Sequence, residues 1–349
     1  MKLNTVNLNF FTISDPQLFR SSVYLNGLLT RQKTNIKIKV FRYENLFSAL
    51  KSLTRIEINK KEPNIDIVMY PSHILLPLIK LIRRNPVILD AGWSLYEGEI
   101  VSRGRKGFFR FHALRFYLID FITSRFANLI FLESRAQKKY YCDKFKVNPE
   151  KCKVLYTGLN ESNFSVKKFK KKKSYTILFR GKYNSEAGLE ILAKTSFEIL
   201  DLPIKILIYS PGIPPNLEFA KNTVVKTNLI SQKQIAKLLI SCHLSLGQLS
   251  DHNRLQRTIP HKAYESAYLG VPYLTARTRG ITELFTEDDE ILCFDPGDSH
   301  SLSNAIKTSF LAKRQTRLIG KRMQDKYRSQ LSQNILTSKF ISLVENQLQ

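Results

Sequence analysis

The sequence predicts an α/β protein of two doubly wound, Rossmann-like domains facing a cleft. Three observations carry that expectation. Short strand-like runs alternate with longer amphipathic stretches, the pattern of a parallel sheet with covering helices. The alternation breaks once, at VKKFKKKKS (166–174), where six lysines between 167 and 173 repel one another. A chain of 349 residues is long enough for two domains with cores of their own.

In the first half, residues 5–12, 36–42, 65–70, 86–89, 128–132 and 153–156 read as strands. Residues 72–84, 108–124 and 135–145 read as amphipathic helices, with Ser72 placed to cap the first. After the lysine run the pattern restarts with strand 176–179, helix 186–200, strand 204–209 and helix 232–241. The segment 244–285, LSLGQLSDHNRLQRTIPHKAYESAYLGVPYLTARTRGITELF, then gives a strand (244–249) and a polar loop (252–260). A helix carrying Lys262 and Glu265 follows and ends at Gly270; a strand at 272–275 leads to Thr278-Arg279-Gly280, which opens another helix at Ile281. Residues 291–294 form a last strand, and the chain from 301 onward is helical. The expected division is a first domain over 1–165, a basic linker at 166–174, a second domain over 175–328, and a C-terminal helix over 329–349 crossing back to the first domain. No internal repeat of solenoid period is present.

The segment 244–285 carries most of the chemistry. Its two consecutive βα units aim a cation, a carboxylate and a helix N-terminus at the carboxyl end of a parallel sheet, where open α/β sheets bind ligands. N–H groups after a glycine turn suit an anion, and a Glu beside them can bridge a ribose diol. Together these describe a nucleotide-diphosphate pocket.

Bulk composition narrows the classes. Hydrophobic residues make up 43% of the chain, which excludes a disordered protein. Lys plus Arg number 55 against 29 acids, a formal charge of +26, more than solubility requires; it implies an anionic partner. Nucleic acid is one such partner, but no helix-turn-helix, RNP or zinc-finger pattern accompanies the charge, so nucleic acid is not the expected one. Cys142, Cys152, Cys242 and Cys293 lack C-x-x-C spacing, and Cys152 and Cys293 fall in strand-like runs, as small core residues do. No His/Cys/Asp cluster has metal-ligand spacing. With no apolar h-region in MKLNTVNLNFFTISD and no uncharged apolar run of about 18 residues, neither a signal peptide nor a membrane span is expected. The expected setting is cytoplasmic.

The residues resemble the GT-B-fold glycosyltransferases of the large retaining family-4 (group 1) type, over nearly the whole chain and most closely from 176 to 305. The family's G-R-x-x-x-E-K-G is matched in FRGKYNSEAGLEIL by Gly181, Lys182, Glu186 and Gly188. P-x-K-x-x-E-x-x-x-x-G-x-P is present as Pro260, Lys262, Glu265, Gly270 and Pro272, and G-x-x-E-L as Gly280, Glu283 and Leu284. FDPGDSHSLSNAI resembles the family's strand-PGD-helix ending, and the stretch leading to Gly158 and Phe164 resembles its approach to the hinge. Two positions depart: Arg257 stands where the E-x7-E motif has its first Glu, and Ala187 where a lysine is usual. Both normally face the donor sugar or its phosphates.

The resemblance implies metal-independent transfer of a sugar from a nucleotide-diphosphate sugar, with retention, to a glycan or lipid-linked acceptor, in polysaccharide or glycolipid synthesis. No cofactor beyond the donor substrate is implied. Such an enzyme must stabilise charge growing on the departing diphosphate, which Lys182, Lys262 and Arg180 can do together with the N–H groups of Gly280 and Ile281. Arg180, directly after a strand, can instead pair with a structural carboxylate, and the lysines can be solvated surface. Glu265 is the implied ribose ligand; its plain alternative is a helix-surface Glu paired with Lys262. Glu283, in the first turn of its helix, is favoured there by the dipole whatever its role, and His261 stands where it can touch the donor. In the first domain, LDAGWSLYEGE follows a buried strand. Asp90 is placed to meet the acceptor hydroxyl, Trp93 and Tyr96 to stack on a sugar or to fill the rim, and Arg20 to face the cleft. The stretch 104–126 interleaves Arg and Lys with Phe and Tyr; with the lysine run it predicts peripheral contact with an anionic membrane at the inner face of the plasma membrane. The departures at Arg257 and Ala187 leave a non-catalytic regulatory GT-B subunit as the second reading, and a basic nucleic-acid-binding protein as the third.

Overall fold

A computed structural model describes residues 5–31, 35–53, 62–103, 110–165 and 171–347. The chain divides into two compact units, Met1–Gly158 with Gln333–Gln349, and Leu159–Ser332.

The first unit runs β1 (Val6–Thr12), α1 (Phe19–Thr30), β2 (Ile36–Arg42), α2 (Leu46–Leu53), β3 (Asn64–Met69), α3 (Leu75–Arg83), β4 (Val87–Gly92), α4 (Arg110–Phe126), β5 (Leu129–Leu132), α5 (Arg135–Phe145) and β6 (Cys152–Val154). The strands form one parallel sheet in the order β2-β1-β3-β4-β5-β6. Central strands such as β1, VNLNFFT, are buried throughout, because helices cover both faces of a parallel sheet. Edge strand β2, IKIKVFR, turns Lys37 and Lys39 outward, which discourages edge-to-edge pairing. A buried ion pair ties β3 to α3: Arg83 Nε donates to Asp66 Oδ2 at 2.8 Å, and Asn9 donates to Asp66 Oδ1 at 2.9 Å.

The second unit runs β7 (Tyr175–Arg180), α6 (Leu189–Glu198), β8 (Ile204–Tyr209), β9 (Thr223–Lys226), α7 (Gln232–Ser241), β10 (Leu244–Leu246), α8 (His261–Leu269), β11 (Tyr273–Ala276), α9 (Arg279–Thr282), β12 (Leu292–Phe294), α10 (Ser299–Leu311) and α11 (Lys313–Lys326). Its sheet is also parallel, in the order β12-β11-β10-β7-β8-β9. The last helix, α12 (Gln333–Glu345), returns to the first unit: Phe340 stacks on Phe10 and Tyr24. Two doubly wound parallel sheets and a returning C-terminal helix are the architecture the sequence predicts.

Local details differ from the sequence reading. Ser72 does not cap α3; its hydroxyl instead accepts the Ile13 N–H at 2.9 Å, tying the end of β1 to the turn after β3. The helix expected from 186 begins at Leu189, because Gly188 takes the left-handed conformation (φ +68°), and a Cβ there would meet Ser250 N at 2.6 Å. Strand β9 is absent from the sequence reading; it is a four-residue edge with Val224 and Val225 exposed. Cys293 is only half-buried, whereas Cys152 is fully so, and all four cysteines are unpaired thiols. Of the lysine run, 166–170 lie outside the described residues; Lys172 N donates to Ser241 O at 2.9 Å, within the second unit. Residues 104–109, the start of the basic aromatic stretch, also lie outside them. Among the described residues, no helix is long and apolar enough to cross a membrane.

Candidate active site

Strand order reverses in the second unit between β7 and β10, and in an open α/β sheet the carboxyl ends at such a reversal form the ligand crevice. Here those ends are Arg180-Gly181 and Gly247-Gln248. Gly181 has φ +141°, and a Cβ on it would lie 3.0 Å from Lys262 Nζ, so glycine makes room for that ammonium. Lys262 Nζ donates to Gln248 Oε1 at 3.1 Å and sits 4.4 Å from the centre of the Phe179 ring. Burial, and after it the neighbouring Arg180 charge, pushes Lys262 down to about 7 despite the opposing pull of Glu265.

Glu265 is 4% exposed, so it is not a surface partner of Lys262. Its Oε2 pairs with Arg180 Nη2, and its Oε1 lies 3.0 Å from His261 Nδ1, one helical turn back on α8. Burial alone would raise this carboxyl; Arg180, His261 and Lys262 outweigh it and hold Glu265 below the usual carboxylate range. Arg180 thus pairs with Glu265, the carboxylate that the resemblance implies as the ribose ligand. Arg180, Gly181, Gln248, His261, Lys262 and Glu265 make one connected polar site.

The remaining candidates of the second unit are placed differently. Lys182 is exposed; with Arg180 and Gly181 it borders a recess of about 220 Å³ floored by Tyr209, Leu229, Ile230 and Ile235. The helix expected to open at Ile281 is one turn, Arg279–Thr282, starting two residues earlier. Gly280 is required by packing, since a Cβ would come within 2.4 Å of Thr258 O, and Ile281 is buried in the core. Glu283 ends this turn rather than lying in a first turn, so the helix dipole does not favour it there.

Sequence reasoning missed two elements. Gln248, the immediate partner of Lys262, is signalled only by its place directly after a strand and glycine. Arg254 Nη1 donates to both carboxylate oxygens of Glu186 (3.2 and 3.0 Å) in a buried pair joining the 252–260 loop to the turn before α6. The two departures are also placed: Arg257 donates to Asn253 Oδ1 at 2.9 Å, and Ala187 is buried with its N–H on Asn184 Oδ1 at 2.8 Å.

In the first unit, Asp90 is 4% exposed and bonded to Arg20 Nε at 2.6 Å. Arg20 Nη1 also donates to Leu155 O at 2.8 Å, while its Nη2 has no hydrogen-bond partner among the described residues. The two candidates therefore form one buried pair at the carboxyl end of β4. Trp93 is half-buried, with Nε1 donating to Tyr70 OH at 3.0 Å and the rings 4.7 Å apart. Tyr96 is half-buried, packing edge-on against Tyr117 and under the Lys144 ammonium. Asp120 on α4 holds this loop, accepting the N–H groups of Leu95 (3.0 Å) and Tyr96 (2.8 Å). Helix α4 also carries Phe111 (85% exposed), Leu114, Leu118 and Ile122, an apolar row at helical spacing open to solvent. Among the described residues, no group of three or more His, Cys, Asp or Glu is placed to hold a metal ion.

Comparison with known proteins agrees with this reading of the fold. Residues 194–334 match the family described as glycosyl transferase-like. Over 137 residues the chain is 25% identical to 2-deoxystreptamine N-acetyl-D-glucosaminyltransferase of Niallia circulans, covering 37% of this chain and 34% of that protein. The match thus spans about a third of that relative's length. Anabaena Alr3699/HepE, solved in complex with UDP-glucose, superposes with a TM-score of 0.73 at 12% identity, covering 97% of this chain and 99% of that one. Sucrose-phosphate synthase of Thermosynechococcus elongatus gives 0.72 at 11% identity, covering 99% of each. At these identities the solved structures show a shared fold.

Proposed function

We propose that this chain, a GT-B-fold protein of the group 1 glycosyltransferase type, transfers a sugar from a nucleotide-diphosphate sugar to a glycan or lipid-linked acceptor with retention of configuration. The observation that carries the reading is the Arg180–Glu265–His261–Lys262 network at the reversal of strand order in the second unit. The Niallia relative is a sugar transferase by name, and HepE was solved with UDP-glucose, which supports a UDP-sugar as donor.

In this reading Glu265 receives the ribose hydroxyls. Each carboxylate oxygen accepts more than one hydrogen bond, so the contacts to Arg180 and His261 leave capacity for the diol. The recess beside Lys182, lined by Tyr209, Leu229 and Ile230, takes the base. Lys262 and Lys182 meet the diphosphate, and Lys262 gains its proton as that anion arrives. Charge builds on the β-phosphate as the anomeric C–O bond breaks, and donors already in place stabilise it without reorganisation. The acceptor belongs to the first unit, near Trp93 and the buried Arg20–Asp90 pair. The exposed row on α4, flanked by Arg115 and Arg125, rests at an anionic membrane surface where a lipid-linked acceptor is presented, as in the synthesis of cell-surface glycans.

The test is direct. Purified protein is incubated with UDP-glucose, UDP-N-acetylglucosamine and other nucleotide sugars, and release of nucleoside diphosphate is followed with and without membrane lipid extract. Turnover of one donor that is lost in Lys262→Ala is expected. Binding of a nucleoside diphosphate with no turnover of any donor would favour the non-catalytic subunit.

A further inference from the structure

The second unit carries another recess, at the opposite, amino-terminal edge of its sheet. Tyr175 opens β7, His243 precedes β10 and Pro272 precedes β11, and all three line it. Its volume is about 590 Å³. Lys171, Lys313, Arg314 and Arg317 border it, and none of its lining residues is acidic. Among the described residues, Lys313, Arg314 and Arg317 form no ion pair.

The cations act on one another. Burial lowers Lys171 below its ordinary value; the Cys242 thiol opposes this and Arg317 adds to it. Burial, then Lys171 and Lys313, lower His243. His243 Nδ1 accepts the Thr176 N–H at 3.0 Å, so its ring proton sits on Nε2. Helix α11 begins at Lys313 with no acid in its first turn and no side-chain cap, so the positive end of its dipole adds to the field. Uncompensated like charge destabilises a compact state. Lys171 Nζ donates to Cys242 O, and Lys313 Nζ lies 4.3 Å from the centre of the Phe310 ring. Four cations that line one recess together with Ile240, Leu269 and Val271 can be neutralised by an oxyanion that has an apolar attachment.

We propose that this recess binds a phosphate ester, with the phosphoryl oxygens on Lys171, Lys313, Arg314 and Arg317 and the ester's apolar part on Ile240, Leu269 and Val271. It lies at the edge of the sheet away from Arg180 and Lys262, so it is a site separate from the donor pocket. The same chemistry is offered by the headgroup of an anionic lipid and by a soluble phosphate monoester.

The experiment is calorimetric titration of the full chain with two probes: dihexanoyl phosphatidic acid kept monomeric, and phenyl phosphate. Binding of at least one is expected, competed by excess inorganic phosphate. R314Q/R317Q should weaken it roughly tenfold or more, R314K/R317K should restore most of it, and Lys262→Ala should leave it unchanged. Circular dichroism and nucleoside diphosphate binding report that the variants are folded. Tighter binding of phosphatidic acid identifies a lipid headgroup as the source, and tighter binding of phenyl phosphate a soluble ester. Wild-type affinity in R314Q/R317Q, or no binding of either probe to the wild type, overturns the proposal, whatever the protein does with nucleotide sugars.

Discussion

If Lys262 receives the donor diphosphate, ligand binding must be coupled to proton uptake. Burial and Arg180 push its ammonium down to about 7. A diphosphate against Nζ adds negative charge and returns the lysine toward its usual value near about 10.4. At pH 8 the free lysine is only about one-tenth protonated and the bound one fully so, giving uptake of about 0.9 proton per nucleoside diphosphate bound. At pH 6 the lysine is protonated in both states and uptake falls to about 0.1. Affinity should therefore fall about tenfold per pH unit above pH 7. Titration calorimetry in two buffers of different ionisation enthalpy reads the proton count directly. Lys262→Met should abolish the uptake at pH 8. The stability sign is fixed too. The folded value lies below the unfolded one, so between about pH 7 and 10.4 the unfolded chain holds the extra proton and stability rises with pH. Equal, near-zero uptake at pH 6 and pH 8, or uptake unchanged in Lys262→Met, would refute the placement of the diphosphate on Nζ.

Four further outcomes are expected. Glu265→Ala should weaken a nucleoside diphosphate more than inorganic diphosphate, and strand Arg180 in a buried site at a stability cost of about 3–5 kcal/mol; equal affinity losses for the two ligands count against ribose binding. Lys182→Ala should lower turnover roughly 100-fold with thermal stability unchanged, since the residue is exposed in the ligand-free chain; near-normal turnover removes it from the site. Asp66→Ala should destabilise the first unit by about 3–5 kcal/mol, because Arg83 stays buried without its partner, and calorimetric melting measures this. Phe111→Ser with Leu118→Ser should weaken sedimentation with phosphatidylglycerol vesicles more than tenfold, about 1.5 kcal/mol or more being lost with each apolar side chain; unchanged sedimentation excludes α4 as the contact.

The fold was legible because period and burial agree. The parallel strands carry apolar runs bounded by turns, such as ILF in β7 and VIL in β4, and α5 and α7 begin on Ser134 and Ser231, whose side chains accept the cap hydrogen bonds. What escaped was set by tertiary contact. Ser72 looks like a cap in sequence, but its hydroxyl is captured by Ile13 N from another strand. Gly188 starts α6 late because the Ser250 backbone lies against it, a neighbour 62 positions away. The candidate site was legible by spacing within α8, where His261 and Glu265 are one turn apart. Its cross-strand partners were not, because no local rule couples Arg180 to Glu265 or Gln248 to Lys262. In sequence Asp90 reads as an acceptor contact and Arg20 as a cleft-facing group; that they pair follows from Arg20 of α1 reaching the carboxyl end of β4, which periodicity alone does not give.

In the proposed reading, the charge count at the second unit's site favours a diphosphate over a neutral sugar. Arg180 is always cationic, and Glu265, held below the usual carboxylate range, cancels it. A second buried cation beside that neutral pair has no counter-charge of its own, which is why Lys262 settles near 7 rather than near the usual lysine value. In the proposed reading, the buried Arg180–Glu265–Lys262 cluster therefore carries little net charge above pH 7 and takes on a positive charge by acquiring a proton with its ligand. On that reading an anionic leaving group would be stabilised by a cation that the fold does not have to keep buried without it. A neutral acceptor brings no such proton, so on electrostatic grounds this unit favours the nucleotide end of a donor over a free glycan.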